Sequence, residues 1–136
     1  MKLAIAVIHG MGSEEQFFSV ELKHRITEQY VDMERGRMEE DLIFHEIFWG
    51  DLIKDRHQQF LASVNYKKDL TFLNLRELFV DYTTATLAYN TATHDVIHER
   101  VRAQLAKLCT HRRVDPERTP LVILGHSFGS VIMSDY

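Results

Sequence analysis

Apolar positions along this chain fall into two patterns, short uninterrupted runs and longer stripes at three- and four-residue spacing. Leu3 to Ile8 is a continuous apolar run rich in Ile and Val, closed by the polar and glycine-rich "HGMGS". A run that is apolar on both faces is what a parallel strand needs when helices cover both sides of its sheet. Ser13, followed by Glu14, Glu15 and Gln16, supplies a helix cap, first-turn acids and the capping-box partner. From there Phe18, Leu22, Ile26, Tyr30 and Met33 recur with helical period and predict a helix to about Met33. The polar "ERGRMEED" connects it to a second strand, Leu42 to Trp49, which alternates imperfectly and stops at Gly50-Asp51. Asp51 is placed to cap a helix through about Val64.

Between Asp69 and Arg112 helical spacing appears twice. Leu75, Leu78, Phe79, Tyr82, Thr86 and Tyr89 form one stripe, and Ile97, Val101, Leu105 and Leu108 form the next. "VDPERTP" then breaks the helix, and Leu121 to Leu124 is a third all-apolar strand, followed by a helical pattern through Val131 and Ile132. The order β-α-β-α-α-α-β-α predicts an α/β fold, a three-layer sandwich around a parallel central sheet. Neither a repeat nor a linker tract divides the chain, and 136 residues suit a single domain.

Composition narrows the partners more than the fold. Sixteen basic against twenty acidic residues leave a net charge of -4, which argues against nucleic acid, because neutralising phosphates takes a basic surface. The one basic cluster, "HRRVDPER", is interrupted by acids and a proline and reads as a solvated loop. A single cysteine, Cys109, excludes an internal disulfide and fits a reducing compartment. The opening "MKLAIAVIHG" has too short an apolar stretch for a secretory signal, and no run approaches membrane-spanning length. A cytoplasmic location, with no membrane span, is the resulting expectation.

Candidate chemistry sits at two of the strand ends. Gly125-His126-Ser127-Phe128-Gly129 has the G-x-S-x-G pattern after an apolar strand and before a helix. There a serine is held on a tight, strained strand-to-helix turn, and side chains at the flanking glycine positions would collide with neighbouring structure. His9-Gly10-Met11-Gly12 follows the first strand directly. Such a loop supplies one backbone N–H of an oxyanion hole, and the residue after the serine supplies the other. A phosphate-cradling loop is the competing reading of "HGMG", weakened by the absence of G-x-G-x-x-G spacing and of a P-loop lysine.

Together "AVIHGMG" and "LVILGHSFGSVI" resemble the α/β-hydrolase superfamily, and "EIFWGD" with "FVDYTTATLAY" looks like its lipase/esterase-like branch. The resemblance implies Ser127 as nucleophile and the Met11 and Phe128 N–H groups as oxyanion donors. His9, Gly10, Gly12, Gly125, His126 and Gly129 would support them. It implies a small-molecule acyl substrate cleaved through an acyl-serine, with no cofactor. It also implies the strand order second-first-third, all parallel, with Leu3–Ile8 central. The triad of this superfamily runs Ser, then Asp or Glu, then His, yet residues 128–136 hold one acid, Asp135, on the wrong element and no histidine. The chain is therefore expected to be the N-terminal portion of such a hydrolase, inactive by itself. An uncovered outer edge on the third strand would then favour self-association. A catalytically dead fragment or pseudo-enzyme that works by binding protein is the alternative.

The remaining candidates are weaker. His94 and His98 stand four apart in "THDVIHER", but Asp95 replaces the glutamate of the zincin pattern and no third ligand is identifiable, so no metal is expected. Trp49, at the carboxyl end of a strand, suits either an acyl pocket or, more commonly, a half-buried place in the core. The aromatic stripe between Asp69 and Tyr89 is expected to pack near the active-site entrance or to cover it.

Overall fold

The computed structural model describes residues 1–10, 16–33, 38–53 and 93–136. Three strands, β1 (Leu3–Ile8), β2 (Leu42–Ile47) and β3 (Leu121–Gly125), form one open sheet in the order β2-β1-β3. Both pairings are parallel, with Leu3 beside Leu42 and Ala4 beside Leu121. This is the order and direction expected. Three helices are described, α1 (Val20–Met33), α2 (Thr93–Cys109) and α3 (Phe128–Asp135).

β1 shows why an all-apolar run belongs in the middle. Successive side chains of a strand point to opposite faces. Ala4, Ala6 and Ile8 join a cluster with Ile43, Ile47, Trp49, Phe128, Ile132 and the stripe of α2. Ile5 and Val7 face the other way, against Leu42, Phe18, Ile26 and Tyr30. Residues 4–8 are all buried. On α2 the predicted stripe holds throughout, since Ile97, Val101, Leu105 and Leu108 are buried and the intervening positions are mostly exposed. Each such side chain contributes roughly 1.5–3 kcal/mol on burial.

β3 is as apolar as β1 but, in the described sheet, has a neighbour on one side only. Leu121, Val122 and Ile123 remain 45%, 37% and 42% exposed, and no residue of the strand is buried. Apolar character made it a strand, but the α2 stripe clusters with β1 and β2 and not with β3, whereas β2, also at an edge, keeps Leu42, Ile43 and Ile47 buried.

The first helix departs from expectation. The Ser13 cap lies outside the described residues, and the α-helix begins only at Val20. Phe17 has a φ of 67°, a left-handed conformation that cannot continue a right-handed helix from its N-terminal side. A residue of β2 holds the turn just ahead of the helix: Glu46 accepts the Phe17 N–H at 3.0 Å, the Ser19 N–H at 3.1 Å, and the Ser19 hydroxyl, with Lys23 Nζ at 2.9 Å. Burial alone would raise the Glu46 carboxyl pKa. The Ser19 hydroxyl, Lys23 and the Ser19 N–H together outweigh burial and hold it below the ordinary value. Along α1, Phe18 (just ahead of it), Ile26 and Tyr30 pack on the sheet, whereas Leu22 and Met33 are exposed. Two further boundaries moved. β2 stops at Ile47, and Asp51 lies in a short 3-10 turn, Gly50–Leu52. The predicted continuation to Val64 and the Asp69–Tyr89 helix, with its place at the entrance, fall outside the described residues. No described helix is long and apolar enough to cross a membrane.

Candidate active site

The carboxyl ends of β1 and β3 are adjacent, because Ile8 is in register with Gly125. The pairing extends one step further, the His126 N–H donating to the Ile8 carbonyl at 3.1 Å. At Ser127 the backbone then reverses with φ 52° and ψ −123°. For a residue with a Cβ this costs on the order of 1–3 kcal/mol. α3 starts at the next residue. Its first turn is secured by Gly129 N–H to His126 O at 3.0 Å and by Ser130 N–H to Ser127 O at 3.0 Å. Ser130 Oγ returns to the Gly125 carbonyl at 2.9 Å.

The three glycines around this turn are sterically dictated. A Cβ on Gly129 would lie 2.5 Å from the His9 carbonyl oxygen and 2.8 Å from that of Ile8. One on Gly125 would meet the Ser130 backbone at 2.9 Å. One on Gly10 would meet both the His126 carbonyl oxygen and the Ser127 Cβ at 2.8 Å. The loop after β1 therefore lies directly against Ser127. His126 and Ser127 are solvent-exposed, whereas Phe128 is buried with its ring 5.9 Å from that of Trp49. The Phe128 N–H belongs to the first residue of α3, where backbone donors and the helix dipole favour a developing negative charge.

His9 is 2% exposed and stacked almost parallel on Trp49, with ring centroids 5.0 Å apart; Phe18 and Phe48 also pack against it. Both its nitrogens are used. Nδ1–H donates to the Gly10 carbonyl at 2.5 Å, and Nε2 accepts the Trp49 and Gly50 N–H groups at 3.1 and 3.3 Å. The Trp49 indole N–H closes the pair onto the His9 carbonyl at 3.0 Å. Two donors aimed at Nε2 require a neutral ring in the Nδ1–H tautomer. Burial lowers the His9 pKa, against the opposing pull of the Gly10 carbonyl, Asp51 and Glu46.

Trp49 is 1% exposed, fully a core side chain, and offers no open face to an acyl group. Met11 and Gly12 lie outside the described residues, so only one of the two expected oxyanion donors has a place here. Among the described residues no imidazole or carboxylate hydrogen-bonds to Ser127 Oγ, and no group of three potential metal ligands occurs. His94 and His98 stack at 4.2 Å, His94 Nδ1 lies 3.1 Å from Asp95, and the His98 ring stacks 5.9 Å from Tyr136. An interaction with no local signal in the pattern of residues joins α2 to the loop after β2. Arg100 donates to the Phe48 carbonyl and to both carboxylate oxygens of Asp51, all at 3.1 Å.

No family model matches this chain, and no curated protein or solved structure matches it either.

Proposed function

We propose that Ser127 is the nucleophile of a serine hydrolase built on an α/β-hydrolase-like, three-layer arrangement, acting on a small-molecule ester or related acyl bond. One observation carries this reading: a non-glycine residue at φ 52° on a strand-to-helix turn, walled in by three glycines that accept no Cβ. In the proposed chemistry, Oγ attacks the acyl carbonyl and its proton passes to a base. The tetrahedral oxyanion is held by the Phe128 N–H and, on the reading of the loop, by that of Met11. Collapse expels the leaving group, and water then releases the acyl-serine. The described residues supply the nucleophile and one donor and place no base at Oγ. A strong electrophile needs less activation. A fluorophosphonate probe should label Ser127 slowly and stoichiometrically, as located by peptide mass spectrometry, and Ser127→Ala should abolish the label. A folded chain whose Ser127 stays unlabelled refutes the proposal. A cytoplasmic setting, resting on the single Cys109, belongs to the same reading.

The exposed apolar residues of β3 favour a second reading, in which the chain acts by protein binding and self-associates along that edge. Light scattering over a concentration series tests it; a monodisperse monomer throughout would reject it.

A further inference from the structure

Arg100 spans the loop after β2 from outside. Its guanidinium binds the carbonyl of Phe48 and the carboxylate of Asp51, the residues immediately before and after Trp49-Gly50. Those two inner residues are the ones whose N–H groups point at His9 Nε2. From His9 the chain of contacts continues through Nδ1–H to the Gly10 carbonyl, and Gly10 abuts Ser127 Cβ. Every link is a hydrogen bond or a close approach, and only a planar fork satisfies a carboxylate with two parallel bonds while reaching a third acceptor. The Arg100 and Asp51 side chains are 30% and 47% exposed. An ion pair so placed contributes little to global stability, so orientation is the effect left for it.

We propose that Arg100 is a positioning residue: by clamping residues 48 and 51 it aims two backbone N–H groups at His9, fixes that ring's tautomer, and so sets the Gly10 loop against Ser127. The consequence for reactivity rests on the Ser127 reading; the consequence for His9 does not. The test uses the 136-residue chain with Arg100→Gln, Arg100→Lys and Asp51→Asn. The last two guard against a Gln variant that fails to fold. In ¹⁵N spectra of the wild-type imidazole, His9 should show a protonated Nδ1 and an unprotonated, hydrogen-bonded Nε2. In the variants the signals should move toward a mixture of tautomers, with Lys the mildest. Fluorophosphonate labelling of Ser127 should slow about five- to tenfold, well short of the loss of a whole oxyanion donor, while the melting midpoint moves little. Folded variants with an unchanged His9 spectrum overturn the inference, as does a changed spectrum with an unchanged labelling rate. If wild-type Ser127 takes no label, the hydrolase reading fails, and the His9 spectrum alone still decides whether the clamp exists.

Discussion

Replacing Gly129 by alanine should invert an ordinary rule. In a helix the change normally gains up to about 1 kcal/mol, because glycine loses the most backbone entropy on folding. At Gly129 the added methyl would sit 2.5 Å from the His9 carbonyl oxygen and 2.8 Å from that of Ile8. Both obstacles are backbone atoms, at the end of β1 and just beyond, and Ile8 O already accepts the His126 N–H. Neither is able to swing aside as a side chain end would. Relief requires α3 to shift outward, which strips contact from Phe128 and Ile132, 6% and 0% exposed. Overpacking of this kind costs about 1–3 kcal/mol, and rigid backbone on both sides puts it at the upper end. Subtracting the helix gain leaves a net loss of about 2 kcal/mol. Urea unfolding is readable through Trp49, the only tryptophan, which is buried against His9 and near Phe128. Val131→Ala, at a site 44% exposed on the same helix, serves as the control and should stay within about 0.5 kcal/mol. Gly129→Ala as stable as the wild type would mean that the β1–α3 approach, and with it the geometry assigned to Ser127, is wrong.

Ser127→Gly should stabilise the fold by about 1 kcal/mol, the released strain less the added flexibility of the unfolded chain, while Ser127 labelling disappears; a destabilised variant would contradict the strained φ. His9 gives stability a pH dependence with a definite sign. Its native pKa lies below the ordinary 6.5, so the unfolded chain binds the proton first. The contribution is complete above about pH 6.5 and erodes as pH falls below it, at no more than about 1.4 kcal/mol per pH unit. His98, lowered by burial and then by His94, adds in the same direction. His9→Gln should therefore remove part of the slope in unfolding midpoints across this range, and an unchanged slope would contradict the neutral, doubly accepting ring. Ile97→Ala, at a fully buried position on α2, should cost about 2–5 kcal/mol in the same urea assay; a loss under about 1 kcal/mol would mean that α2 is not packed on the sheet.

Much of the fold was legible because it depends on local pattern. The bounds of β1 and the stripe Ile97, Val101, Leu105, Leu108 follow from periodicity, which a covered strand and a half-buried helix cannot avoid. Errors arose where a distant residue took over a local role. The turn leading into α1 is held by Glu46, 27 positions away from Ser19, so local pattern alone does not reveal that the helix begins at Val20. Leu22 and Met33 have the right spacing yet remain exposed, so period alone does not decide which positions of the stripe meet the sheet. β3 carries the same signal as β1, but the α2 stripe clusters with β1 and with the other edge strand, β2, and with no residue of β3, so helix cover rather than apolar pattern separates the exposed strand from the buried ones.

The site divides along the same line. Gly125 and Gly129 were legible as a motif, yet the atoms that forbid their side chains belong partly to β1 and the loop after it, more than a hundred residues earlier. Trp49 and Arg100 were not legible as a framework for His9, since their partners lie 40 and about 50 positions away. What distinguishes the functional reading from a plain strand-to-helix junction is the distribution of residue types over this geometry. Glycine would adopt the positive φ of residue 127 without cost, and a junction built for packing alone has no use for a hydroxyl there. Here the glycines stand on either side, where sterics demand them, and the positive-φ position carries a hydroxyl, exposed at the start of a helix. Beneath it the core admits a histidine where an apolar side chain would need no hydrogen-bond partners, and both ring nitrogens are committed to the loops around the serine. On the proposed reading, a reactive oxygen held by a fixed framework accounts for both choices.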